Sequence, residues 1–171
     1  MARKAATRLN MNGFNALRRN LPGKIQVAML AAAHQIKEEA KSLAPTDTGV
    51  LTESIHVTTK TFSEYPMAKA SATAKHNAAK AAGRTPKGRF FSKKRDIAFF
   101  EEVRPATVNE VFVVVGAQHG FIREYGGAKQ GATPFLTPAV ENNIAAYQKA
   151  LEEAITESAG TGIATVVNRK V

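Results

Sequence analysis

With 171 residues, 44% of them hydrophobic, a net charge of +10 and no cysteine, the chain reads as one soluble domain that owns neither disulfides, thiol nucleophiles nor thiolate zinc sites. No apolar run nears the ~20 residues of a membrane-spanning helix, and the basic start runs into Thr7, Arg8, Asn10 and Asn12, which predicts no secretory leader. The charge is uneven: residues 1–24 carry +6 and residues 69–104 carry +7, leaving −3 for the rest. A mildly acidic scaffold with basic appendages suits a neighbour that is nucleic acid or an acidic protein surface.

In chain order, residues 1–24 read as a basic N-terminal arm, and Pro22-Gly23 as the start of a first helix. From Ile25, apolar residues recur at Met29, Ala32, Ile36, Ala40 and Leu43, with Lys37, Glu38 and Lys41 on the other side, and Pro45 ends the pattern. Asp47 to Gly49 supply a turn in which glycine takes positive φ and aspartate bonds its own backbone. Leu51 to Thr58 alternate apolar and polar, a strand whose Leu51, Ile55 and Val57 face the first helix.

Residues 62–105 read as a long basic insertion. Lys69 to Ala82 fits either an alanine-rich basic helix or a loop ordered by binding. Arg84, Lys87, Arg89, Lys93, Lys94 and Arg95 are the candidate polyanion contacts. Phe90 and Phe91 read as an anchor to the core or a neighbouring subunit, with base stacking the alternative.

Val108 to Val115 is the clearest strand, and its continuous apolar run predicts a central position. Gly116 ends it, and His119 to Tyr125 predicts a short helical turn. Pro134 extends the chain, Phe135 and Leu136 anchor it, Thr137 is a candidate N-cap and Pro138 suits the first turn of a second helix. That helix is expected to run to about Ser158, with Val140, Ile144, Tyr147, Leu151 and Ile155 on one face. Gly160 and Gly162 are expected to stop it, leaving 159–171 as a β-prone extension that either pairs through Ile163 and Val166 with a neighbour's sheet edge or frays as a tail.

The whole predicts an α+β fold: a small, mostly antiparallel sheet packed by two amphipathic helices, with a long basic insertion and extended termini, the single domain spanning 25–158. His34, His56, His76 and His119 have no metal-ligand spacing. Glu124 beside Tyr125 has the makings of an acid/base pair but reads better as structural, and no phosphate-binding or catalytic motif is present. The expectation is a chain that is not an enzyme, with no catalytic residue, cofactor, metal or small-molecule substrate.

Four segments, in this order, resemble the tail-completion or minor tail components of long-tailed bacteriophages: Pro45 to Ile55, Val115-Gly116, Glu124-Tyr125-Gly126 and Pro134 to Ala139. The resemblance covers most of 25–157 but not the basic insertion or the two ends. It implies a structural virion protein at the head-tail junction: a homo-oligomeric ring, a hexamer, between head-completion or connector proteins and the tail terminator or tail tube, with a channel for DNA and contact with DNA or a tape-measure protein. Pro45, Asp47, Gly49, Phe90, Phe91, Tyr125, Phe135, Leu136, Ile163 and Val166 are the candidate interface residues. The alternatives are a tail terminator capping the tube and, from another class, a free nucleic-acid-binding module that uses the basic insertion.

Overall fold

In the computed structural model, which describes residues 12–84, 102–117, 119–128 and 130–167 with side chains from Leu21 to Ser158, seven elements follow one another. They are α1 (Asn12–Leu43), α2 (Val50–Ser54), β1 (Ile55–Thr59), α3 (Tyr65–Ala81), β2 (Val111–Val115), α4 (His119–Tyr125) and α5 (Leu136–Val167). The fold is α+β, with β1 and β2 forming an antiparallel pair in the register Ile55 to Val115 through Thr59 to Val111.

Alternation along β1 sorts its neighbours onto the two faces of the sheet. Ile55 joins Ala40 of α1 and Ala44 just after it, Leu51 of α2, Ala117, and Phe135 and Ala139 at the start of α5 in the main core, against which Val113 and Val115 of β2 pack. On the other face, the ring of buried His56 lies 6.0 Å from that of Tyr65 of α3, and the Thr58 hydroxyl donates to the Val103 carbonyl. Burial holds the His56 imidazole below its usual range, so it stays neutral, while its Nδ1 meets the Ser54 carbonyl at 2.9 Å.

The two long helices run antiparallel. The Glu39 carboxylate accepts from the side chains of Asn142 and Asn143, and Lys24 meets Glu157 at 3.0 Å. Between those pairs the seam is built of small residues, with Ala32 and Ala33 of α1 and Ala154 and Ser158 of α5 all buried.

Several boundaries correct the sequence reading. Helix α1 begins at Asn12 and runs through Pro22, so Pro22-Gly23 is not its start. Likewise α5 continues past Gly160 and Gly162 to Val167, so Ile163 and Val166 lie on helical backbone and not in a β-extension. The register of the helix pair brings these two stretches alongside each other, and a long tertiary partner overrides the weak local propensity of Pro and Gly. Residues 50–54 form a helical turn where a strand was expected. The Ser54 hydroxyl donates to the Leu51 carbonyl at 2.7 Å, and Val50, Leu51 and Ser54 are buried at helical spacing. Of the two readings of residues 69–82, the helix is the one adopted, starting earlier, at Tyr65.

Strand β2 is not central: among the described residues it pairs only with β1. Its Val113 and Val115 pack on the main core, whereas Phe112 on the other face is 37% exposed. The opposite edge of β1 is closed by its own chain. Thr59 N–H donates to the Phe62 carbonyl, Glu64 N–H to the Val57 carbonyl, and Val57 N–H to the Glu64 carboxylate at 2.8 Å. That carboxylate also accepts from Lys37 at 3.0 Å, which places Lys37 of α1 in the interior at 8% exposure and not on the solvated side. Burial pushes the Glu64 carboxyl up, but the Val57 N–H and the Lys37 ammonium outweigh it and hold the pKa below the usual range. Glu64→Ala strands the Val57 N–H and leaves Lys37 with exposed Glu38 alone, at 3.3 Å, and is expected to cost about 2 kcal/mol, read as a lower urea midpoint with an unchanged m-value. A midpoint equal to that of the parent chain would mean that water replaces the carboxylate at no cost.

Candidate assembly surfaces and the clamp that positions them

Helix α5 has no acidic residue in its own first turn. Its positive end is closed from elsewhere in the chain. Glu124, the penultimate residue of α4 and itself buried, accepts from the N–H groups of Phe135 and Leu136 at 2.9 Å each, from Thr137 N–H at 2.7 Å, and from the Thr137 hydroxyl. One carboxylate thus satisfies three of the orphan donors at a helix start and complements the helix dipole. Burial raises the pKa of this carboxyl, yet the hydrogen bonds from Thr137, Phe135 and Leu136 together lower it below the ordinary range, so Glu124 is ionised. Thr137 is therefore a donor to the cap and not the cap itself, and Pro138 falls in the same first turn.

The loop between the helices is tied at both ends. Thr133 N–H donates to the Arg123 carbonyl at 2.7 Å, and Gly127 and Gln130 exchange backbone bonds of 2.8 and 3.2 Å. Gly126 closes α4 with φ 82°, and a Cβ there would lie 3.1 Å from the Ala132 nitrogen. Gly126→Ala combines left-handed strain with a backbone contact, and is expected to cost about 1–2 kcal/mol. Thermal unfolding of the variant checks this, and an unchanged midpoint would show that the loop relaxes freely.

The other motif turn, Pro45 to Gly49, supplies the positive φ that its glycine suggests. Gly49 adopts φ 76° and its carbonyl accepts from Glu53 N–H at 3.1 Å, starting α2. The Thr48 hydroxyl meets Val50 N–H at 3.5 Å. Pro45 is half-buried, Asp47 exposed, and the stem of Lys75 from α3 covers Gly49.

The candidate interface residues therefore divide. Phe135, 1% exposed, is the largest side chain of the core and Leu136 packs on the same cluster, which corrects their place among surfaces for a neighbour. Tyr125 is 69% exposed and its ring lies 5.0 Å from that of equally exposed Phe121, an aromatic pair at i, i+4 on the outer side of α4. Phe90, Phe91, Lys87, Arg89, Lys93, Lys94 and Arg95 lie outside the described residues, whereas Arg84 is exposed just beyond the end of α3.

On α5, the expected face of Val140, Ile144, Tyr147, Leu151 and Ile155 is covered only in part. Ala139, Ala154 and Ser158 are buried and Tyr147 and Leu151 half-buried, while Val140, Ile144 and Ile155 stay 40%, 49% and 48% exposed along its outer side. Among the described residues no three His, Asp or Glu side chains are grouped to hold a metal, and no helix is long and apolar enough to cross a membrane.

No family model matches the chain, and neither a curated protein nor a solved structure does.

Proposed function

We propose that this chain is a structural subunit of a tailed-phage particle, a tail-completion protein that forms a ring at the head-tail junction. What supports the reading most is convergence. The segments that carry the resemblance, far apart in sequence, meet in one cluster through Leu51, Ile55, Val115, Phe135 and Ala139, while Glu124 locks the last of them to α4. They work as a scaffold that fixes the angle between two long helices and a two-stranded sheet. Among the described residues, the surfaces left outside are of the kind subunits bury against one another: the outer edge of β2, the Phe121 and Tyr125 pair, and the bulky stripe of α5.

Cryo-electron microscopy of particles that carry this gene tests the reading. A ring of this chain below the portal, with a passage for DNA, is the expected result. A single ring directly on the tail tube would make it a terminator instead. Absence from particles would overturn the reading and favour a module that binds nucleic acid through its basic insertion.

A further inference from the structure

We infer that the bulky stripe of α5 is a docking surface for helix α3 of a second copy of this chain. The inference deepens the ring reading above and rests on it only for the closing of the ring.

The α5 stripe is set by spacing. Val140, Ile144, Leu151 and Ile155 fall within one narrow sector of a 3.6-residue helix, beside the α1 seam, and on its solvent side that sector is bordered by exposed Glu141 and Glu152. Four acids stand against Lys149 between Leu136 and Ser158.

Helix α3 has the opposite character. It contains no acid and three lysines, Lys69, Lys75 and Lys80. Its inner side, Ala68 and Ala72, is buried with Val50. Its outer side presents Met67, 64% exposed, then exposed Ala70, Ala74 and Ala78 at helical spacing, with exposed Lys75 and Lys80 on either flank. A row of alanines is a shallow seat in which larger aliphatic side chains interdigitate, and the lysine flanks meet the glutamate border of α5 in charge as the alanines meet it in size.

Within one subunit the two helices serve opposite faces of the sheet, α3 on the His56 side and α5 on the Ile55 side, so the partner comes from another copy. Pairing α5 with α5 would bring Glu141 and Glu152 toward their own counterparts, which charge disfavours. Pairing α5 with α3 joins unlike surfaces, and such a contact repeats head to tail until it closes into a ring or continues as a filament.

The cysteine-free chain allows a direct test with the full-length protein. Ile144→Cys and Ala74→Cys, both at exposed positions, are made as separate variants, checked for parental circular dichroism, mixed and oxidised with diamide. The expected result is a mixed disulfide, with each variant alone giving at least about fivefold less dimer. Glu141→Lys with Glu152→Lys in the Ile144→Cys chain should lower the mixed product about tenfold, and Lys75→Glu with Lys80→Glu in the Ala74→Cys chain should restore it. The inference is overturned if Ile144→Cys couples to itself as efficiently, if the charge swap fails to rescue, or if no mixed disulfide forms either in solution or in particles. A ring at the neck without this disulfide would overturn the interface and leave the ring reading standing. The disulfide without any presence in particles would do the reverse.

Discussion

Replacing Glu124 by alanine is expected to destabilise the chain by about 3–4 kcal/mol, lowering the thermal midpoint by about 10 °C. Charge-assisted bonds contribute about 1.5–3 kcal/mol each, but their sum overstates the loss, because Thr137 is exposed and water can serve its groups. The N–H of Phe135, in a fully buried residue, has no such substitute. Glu124→Gln keeps an acceptor and loses the charge, so about half that effect is expected. The pH dependence separates the two contributions. The folded carboxyl titrates below its ordinary value near 4.5, so its stabilisation is complete above that value and disappears as pH falls through the lower, folded one. Stability measured by urea unfolding from pH 7 into the acid range should therefore fall less steeply for Glu124→Gln than for the parent chain. Equal slopes would mean that Glu124 contributes shape and no charge.

Phe135→Ala is expected to be the most damaging single truncation, at about 4 kcal/mol, with a reduced urea midpoint. The cost belongs at the upper part of the usual range because of what surrounds the ring. Ala40, Ala44, Ala117 and Ala139, four of the six other buried members of the cluster, have no side-chain length with which to refill the space. Phe135→Leu should recover more than half. A surface residue would behave differently: truncation would leave stability within about 0.5 kcal/mol and weaken assembly alone, and that outcome would return Phe135 to the interface.

How far the sequence reveals this fold depends on whether a residue acts locally. Turn chemistry is local, so Gly49 and the helical turn at His119–Tyr125 are legible from the chain. The helix in α1 is legible from period, yet its end at Asn12 is not, because the turns around Pro22 are held by a partner that lies more than a hundred residues away. Lys37 reads as solvated because the acid beside it in sequence, Glu38, is itself exposed and pairs with it at 3.3 Å. Its partner Glu64 sits on another element, at the end of β1's own hook. Glu124 reads as structural and not as half of an acid/base pair, and the sign that it caps a distant helix is the lack of any acid in the first turn of α5. The face of α5 is legible only in part: Tyr147 and Leu151 are half-buried as their size suggests, but the residues covered completely, Ala139, Ala154 and Ser158, are small, and hydrophobic size does not mark them.

That small-residue seam also has a mechanical side. A 32-residue helix is roughly 48 Å long, and α1 meets the main core near its C-terminal end, at Ile36 and Ala40, while its pairing with α5 reaches back to Lys24. The pair is thus a stiff lever with its fulcrum at the Glu124 clamp. A tilt of about 10° there would carry the far ends through roughly 8 Å, turning a sub-ångström adjustment in one carboxylate's hydrogen bonds into a displacement large enough for a neighbouring protein to feel.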